Sequence, residues 1–199
     1  MTKPNFTFKV IFLSIFCLLG LSSVFAQAEP RVQSEPSYEV MLQILVGSNS
    51  GEQKSGAPAN LSAVTKNLRN RIPFANYNLT TTYLHRVANT GNLEIKNVTS
   101  GDMKSAAAET PVFSEWSIGQ LKNSPTDAAN QSAIQITNFR FGQRIPVQSA
   151  NGVLNYESVG LNLQRLNVPE NAPTVIGSLS SQNPSEMAFL VLTVRRAEN

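Results

Sequence analysis

Tyr38–Val46 reads YEVMLQILV, and Met187–Val194 reads MAFLVLTV. In the first stretch Tyr38, Val40, Leu42, Ile44 and Val46 alternate, while Met41 and Leu45 put apolar groups on the opposite side. Alternation at period two marks a strand, and apolar residues on both faces mark one that is covered on both. Met187–Val194 is likewise apolar on both faces. Both segments are therefore expected at the centre of a sheet.

Working outward, Gly47 to Ala59 (GSNSGEQKSGAPA) has loop composition. Asn60 is placed to cap a helix, since Leu61, Val64, Leu68 and Ile72 follow at helical spacing and Pro73 stops it. Period two then returns. Tyr77, Leu79, Thr81, Tyr83, His85 and Val87 fall on one strand face, and Asn89-Thr90-Gly91-Asn92 predicts a hairpin into Leu93–Val98. A second loop spans residues 99–111, and further strands are expected at 113–122, 132–143, 153–168, 173–180 and 187–196. The alternation slips phase near Thr137-Asn138 and near Gln164-Arg165, as a β-bulge would make it do. The expected fold is α+β: a mostly antiparallel sheet of about seven or eight strands with one amphipathic helix packed on a face. It forms one β-rich domain over residues 38–199.

The chain opens with Lys3 and Lys9 around a polar start, then the apolar run Val10–Phe25, then Ala26-Gln27-Ala28. This order predicts a signal peptide over residues 1–28, cleaved near Ala26 or Ala28, with a short leader over 29–37. The protein is thus expected to be exported: periplasmic, associated with the outer membrane, or extracellular, with no membrane span after cleavage. Cys17, the one cysteine, lies within the signal, so disulfides play no part. Without Lys3 and Lys9, 14 basic residues face 13 acidic ones, and they are scattered. No basic stripe exists for nucleic acid to follow.

The inventory of reactive groups is thin. His85 is the only histidine, and a catalytic histidine needs a nucleophile and an orienting carboxylate beside it. The only aspartates, Asp102 and Asp127, fall in expected loops. One histidine without a cysteine outside the signal rules out a His/Cys metal site, and neither a phosphate loop nor a nucleophile elbow is present. Glu94, Glu115 and Glu157 lie on expected strands, where paired carboxylates could do acid/base work or simply face water. No catalytic, metal or cofactor residue is assigned, and no cofactor is expected. Trp116 stands either in the core or on a face where it could stack on a sugar or peptide. With His85 and Tyr83 it forms the candidate binding surface.

Asn171–Arg196 (NAPTVIGSLSSQNPSEMAFLVLTVRR) resembles the end of the secretin homology domain of bacterial type II and type III secretion channels. Val175-Ile176-Gly177-Ser178-Leu179 and Leu190-Val191-Leu192-Thr193-Val194-Arg195 stand where that domain has a glycine-containing strand and its closing strand. Glu39–Val46 is loosely similar to its first strand. Secretins carry a proline-rich lip between those last two strands, and only Ser180–Glu186 lies here. The resemblance therefore implies a secretin-like β-domain used for docking or assembly in the envelope, without a pore.

These readings lead to an exported non-enzymatic envelope protein whose sheet surface binds an envelope protein partner or a second copy of itself. The alternative is a periplasmic small-ligand binder or unfamiliar hydrolase, its pocket lined by loops 47–59 and 99–112.

Overall fold

The computed structural model describes residues 36–49, 56–99, 111–124, 132–181 and 183–197. The expected signal peptide, most of the leader, and residues 50–55 and 100–110 of the two long loops lie outside the described residues.

The two apolar segments become β1 (Ser37–Ser48) and the C-terminal strand (Glu186–Arg196), which pair antiparallel along their lengths. They sit side by side in the middle of a four-stranded sheet, sheet A. One edge of it is β2 (Asn76–Ala88); the other is the strand Thr174–Ser180. Between β1 and β2 come a 3-10 turn at Ala59–Leu61 and helix α1 (Ser62–Arg71), which pack on one face of sheet A. Leu61, Val64 and Leu68 meet Leu45, Tyr77, Phe189 and Val191 there, all of them buried. Asn60 lies inside the 3-10 turn and no side chain caps α1, so the expected cap is not made. The turn takes up the first helical hydrogen bond instead, with Leu61 N–H donating to Pro58 O at 2.9 Å.

The other face of sheet A packs on a second sheet, sheet B, which the sequence reading did not separate from the first. Sheet B holds β3 (Leu93–Thr99), β4 (Val112–Ile118), β5 (Leu121–Ser124), β6 (Ala133–Gln148) and β7 (Leu154–Pro169). β8 (Thr174–Ser180) and β9 (Glu186–Arg196) then return the chain to sheet A. The nine strands among the described residues form two sheets rather than one. The ninth arises because the expected strand 113–122 breaks at Gly119-Gln120 into β4 and β5, both lying along the same side of β6.

The turn at residues 88–91 closes as expected, with Gly91 N–H donating to Ala88 O at 3.1 Å. It does not close a hairpin, however. β2 belongs to sheet A and β3 to sheet B, where β3 pairs with β4. A second correction concerns β2 itself. Thr80 is an extra residue opposite the Ile44/Leu45 step, and its hydroxyl donates to Ile44 O at 3.1 Å. This bulge reverses the strand's faces. Tyr77 and Leu79 turn toward α1, whereas Tyr83 and Val87 join the core between the sheets.

That core consists of Tyr38, Val40, Leu42 and Ile44 from β1 and Leu190, Leu192 and Val194 from β9. Opposite stand Trp116, Ile118, Ile134, Ile136, Phe139 and Phe141 of sheet B. The Tyr38 hydroxyl crosses the interface to donate to Asn123 Oδ1 at 3.0 Å. The two phase slips are real but are not the unpaired bulges expected. Asn138, at φ 53°, and Gln164 lie level with each other. The β6–β7 ladder runs Thr137↔Arg165, then Phe139↔Leu163, in unbroken register. Both strands reverse faces together, so Ile136 and Phe139 both point inward, as do Leu163 and Leu166.

Gly142 and Gly160 face each other across β6 and β7. A methyl at Gly160 would come to 2.5 Å from Phe141 O, a backbone atom that cannot step aside, whereas one at Gly142 would meet Glu115 Cγ at an ordinary 3.5 Å. In urea denaturation, Gly160→Ala is expected to destabilise by about 1–3 kcal/mol. Gly142→Ala should instead be neutral or stabilising by about 0.5–1 kcal/mol, because it removes chain freedom without strain.

Candidate binding surface

The outer face of sheet B is not covered by any described element. Its side chains follow from the parity of β4, in which Val112, Ser114, Trp116 and Ile118 point inward and Phe113, Glu115 and Ser117 outward. Cross-strand pairing sets these outward residues in rows. One row runs Glu94, Ser117, Arg140, Asn162; the next Lys96, Glu115, Gly142, Gly160; the third Val98, Phe113, Arg144, Ser158. Because the middle row ends in two glycines, it leaves a trough of about 560 Å³ bordered by Glu94, Glu115, Arg140 and Asn162. A second hollow, about 370 Å³, continues from it past Lys96, Phe113 and Arg144.

Of the seven large apolar side chains exposed among the described residues, five gather at one end of this sheet: Val98, Phe113, Val153, Leu154 and Tyr156. The Phe113 and Tyr156 rings lie 5.6 Å apart, and the Tyr156 hydroxyl donates to Pro111 O at 3.3 Å. Apolar side chains collected on one exposed face are the usual mark of a contact surface.

The trough does hold two glutamates, but their electrostatics do not suit acid catalysis. Lys96 lies 2.8 Å from Glu94, and both side chains are about two-thirds exposed. Its hydrogen bond and charge pull the Glu94 carboxyl below the ordinary range and raise Lys96 in return. A general acid needs the opposite shift. Among the described residues, no three His, Cys, Asp or Glu side chains come together as a metal site would need.

The three residues singled out from sequence do meet, with Trp116 and Tyr83 in the interior and His85 half-buried beside them. Trp116 is 1% exposed and Tyr83 8%. The Trp116 ring lies 5.6 Å from His85 and 6.1 Å from Tyr83, joining β4 of sheet B to β2 of sheet A. Trp116 is therefore unavailable to stack on a ligand. Its Nε1 is buried with no hydrogen-bond partner among the described residues. The outward pair Phe113 and Tyr156, which the sequence reading did not choose, takes the exposed position. The signal was present: with Trp116 inward, period two puts Phe113 outward beside Glu115.

Burial pushes His85 below its usual 6.5. Its neutral form is thus favoured in the folded state, and protonation favours unfolding. Stability should fall as pH drops from 6.5, before carboxylates titrate below about pH 5. In denaturation at stepped pH, His85→Phe should abolish that slope; an identical slope in the variant would show that His85 is not its source.

No protein-family model and no curated protein matches the chain. Among solved structures, it is similar to the secretin domain β-barrel of InvG from the Salmonella SPI-1 injectisome. That likeness has a TM-score of 0.38 and 10% identity, over 96% of this chain and 68% of that one. InvG from residue 176 onward, in its open gate state, gives a TM-score of 0.35 and 12% identity over 98% and 67%. The near-atomic cryo-EM structure of InvG gives 0.32 and 11% over 96% and 70%. The chain thus bears a weak structural resemblance to secretin domains, and at these values no functional property carries over.

Proposed function

We propose that this chain is an exported, non-enzymatic protein of the cell envelope. It works by offering β-sheet surface for binding or self-assembly, in a secretin-like manner. The observation that carries the reading is the free edge of β7. This strand runs for 16 residues with β6 on one side and, among the described residues, no strand paired along the other. A long open edge invites another chain to pair with it. Among the described strands, β3, at the opposite edge of sheet B, pairs only with β4.

The directions are compatible with self-assembly. β3, β4, β6 and β7 alternate in direction, so β3 runs opposite to β7. The β3 of a second copy could lie beside β7 and continue the antiparallel order. Such head-to-tail contacts close into rings or extend as filaments. The exposed apolar residues lie toward both edges, Val98 on β3 and Leu154 and Tyr156 on β7, so a joint would bury them together. Export is supported by the Lys3/Lys9 start and the apolar run before Ala26-Gln27-Ala28. Among the described residues no helix is long and apolar enough to cross a membrane. The non-enzymatic part is supported by the ionised Glu94 and the inward His85.

Engineered cysteines test the joint, with Cys17 replaced by Ser. Within one chain β3 and β7 are three strand spacings apart, roughly 14 Å, too far for a disulfide. Pairs such as Lys96→Cys with Ser158→Cys, or Glu94→Cys with Asn162→Cys, should therefore give only intermolecular products. A ladder of covalent oligomers from at least one register is expected. Monomer alone from every pair, at concentrations where wild type shows no larger species either, would overturn self-assembly.

A further inference from the structure

The outer face of sheet B is uneven in a regular way. On its β3–β4 half stand Glu94, Lys96, Val98, Phe113 and Glu115, while the same rows on β6 and β7 hold Gly142, Gly160, Ser158 and Asn162. A ridge therefore runs beside the trough of about 560 Å³. The charges divide along the same line. Both carboxylates stand on the ridge, and Arg140 and Arg144 flank Gly142 on β6. Glu115, Arg140 and Arg144 are exposed, and none makes an ion pair with a described residue.

We infer that this face receives a second copy of itself, packed sheet on sheet about a two-fold axis running along the strands between β4 and β6. Sheets packed this way keep their strands nearly aligned and stand about 10 Å apart. The axis lays each copy's β4 over the other's β6, and β3 over β7. Glu115 then enters the trough above Gly142 of the second copy. It lies between that copy's Arg140 and Arg144, each one row, about 7 Å, along the strand. Glu94 comes beside the same Arg140, and Phe113, 43% exposed, covers the guanidinium of Arg144. The two Glu115 carboxylates approach each other at the axis, but four arginines surround them. A two-fold axis across the strands is excluded by the same rows. Through the middle row it would set Glu115 on Glu115, Lys96 on Lys96 and Arg140 on Arg144. The face spans about 19 Å over four strands and about 23 Å along β4, at the low end for a specific interface, so the dimer is reversible. The contact rests on the reading of this chain as an assembly surface, but it engages the face of sheet B and leaves the β3 and β7 edges free.

Charge exchange, followed by sedimentation equilibrium of the purified chain, tests this. Wild type is expected to dimerise reversibly in roughly the micromolar range. Glu115→Arg alone, and Arg140→Glu with Arg144→Glu alone, should each weaken dimerisation at least about tenfold. An equimolar mixture of the two variants should recover it as a mixed dimer, because each carboxylate again meets arginines. Lys66→Glu, on α1, should leave it unchanged. The inference is overturned if wild type stays monomeric at about 1 mM, if either variant pairs as wild type does, or if the mixture stays monomeric. It is also overturned if phosphatidylglycerol vesicles capture a monomeric wild-type chain through Arg140 and Arg144. Facing sheets about 10 Å apart lie beyond disulfide reach, so the cysteine pairs above report only the edge joint, which also continues past a dimer. Either contact can therefore fail while the other holds.

Discussion

The antiparallel pairing of β1 with β9 is the constraint from which the rest of the architecture follows. Both strands are apolar on both sides, so water must be excluded from two faces at once. One face of sheet A is closed by α1, whose Leu61, Val64 and Leu68 settle onto Leu45, Phe189 and Val191. The other is closed by sheet B. The result is three layers with sheet A in the middle. Removing a large side chain from that central pair would expose a cavity in a tightly packed interior, at a cost of about 2–5 kcal/mol for a buried leucine such as Leu190.

Sheet B stands in a different position. It needs to present only one apolar face, and its strands alternate accordingly: Trp116, Phe139 and Phe141 inward, Glu115, Arg140 and Arg144 outward. Among the described elements, nothing covers the outward side and no strand pairs along either outer edge. Residues that the fold does not need, Phe113 and Tyr156 among them, can therefore face outward there. A molecule whose middle layer is saturated with contacts and whose outer layer is not is suited to meeting partners through that outer layer.

Much of this was legible in the sequence, and what was missed shares one cause. Period two reports which face a residue takes, so the central position of β1 and β9, the single helix, and the places where alternation slips were all readable. It does not report which strand lies alongside. Asn89-Thr90-Gly91-Asn92 therefore reveals a reversal without revealing that β2 and β3 end in different sheets. Nor does it reveal an extra residue when both phases look alike. Tyr77, Leu79 and Tyr83 all stand at odd positions, and only the pairing of β2 with β1 exposes Thr80 as the step that turns the first two toward α1. Asn138 and Gln164 mislead in the opposite direction. Each slip alone resembles a bulge, yet they face each other and leave the register intact. The candidate surface suffered similarly: Trp116 attracted attention as a rare residue, while the parity that placed it inward also placed Phe113 outward.

Amide hydrogen exchange measured over a range of protein concentrations tests this asymmetry most directly. β1 and β9 should exchange slowly and at the same rate throughout, because their protection comes from within one chain. β7 should exchange quickly when dilute and slow down as concentration rises, because its outer edge is closed only by a neighbour. A β7 edge protected as strongly as β1 in dilute solution, or one equally unprotected at every concentration, would contradict the account.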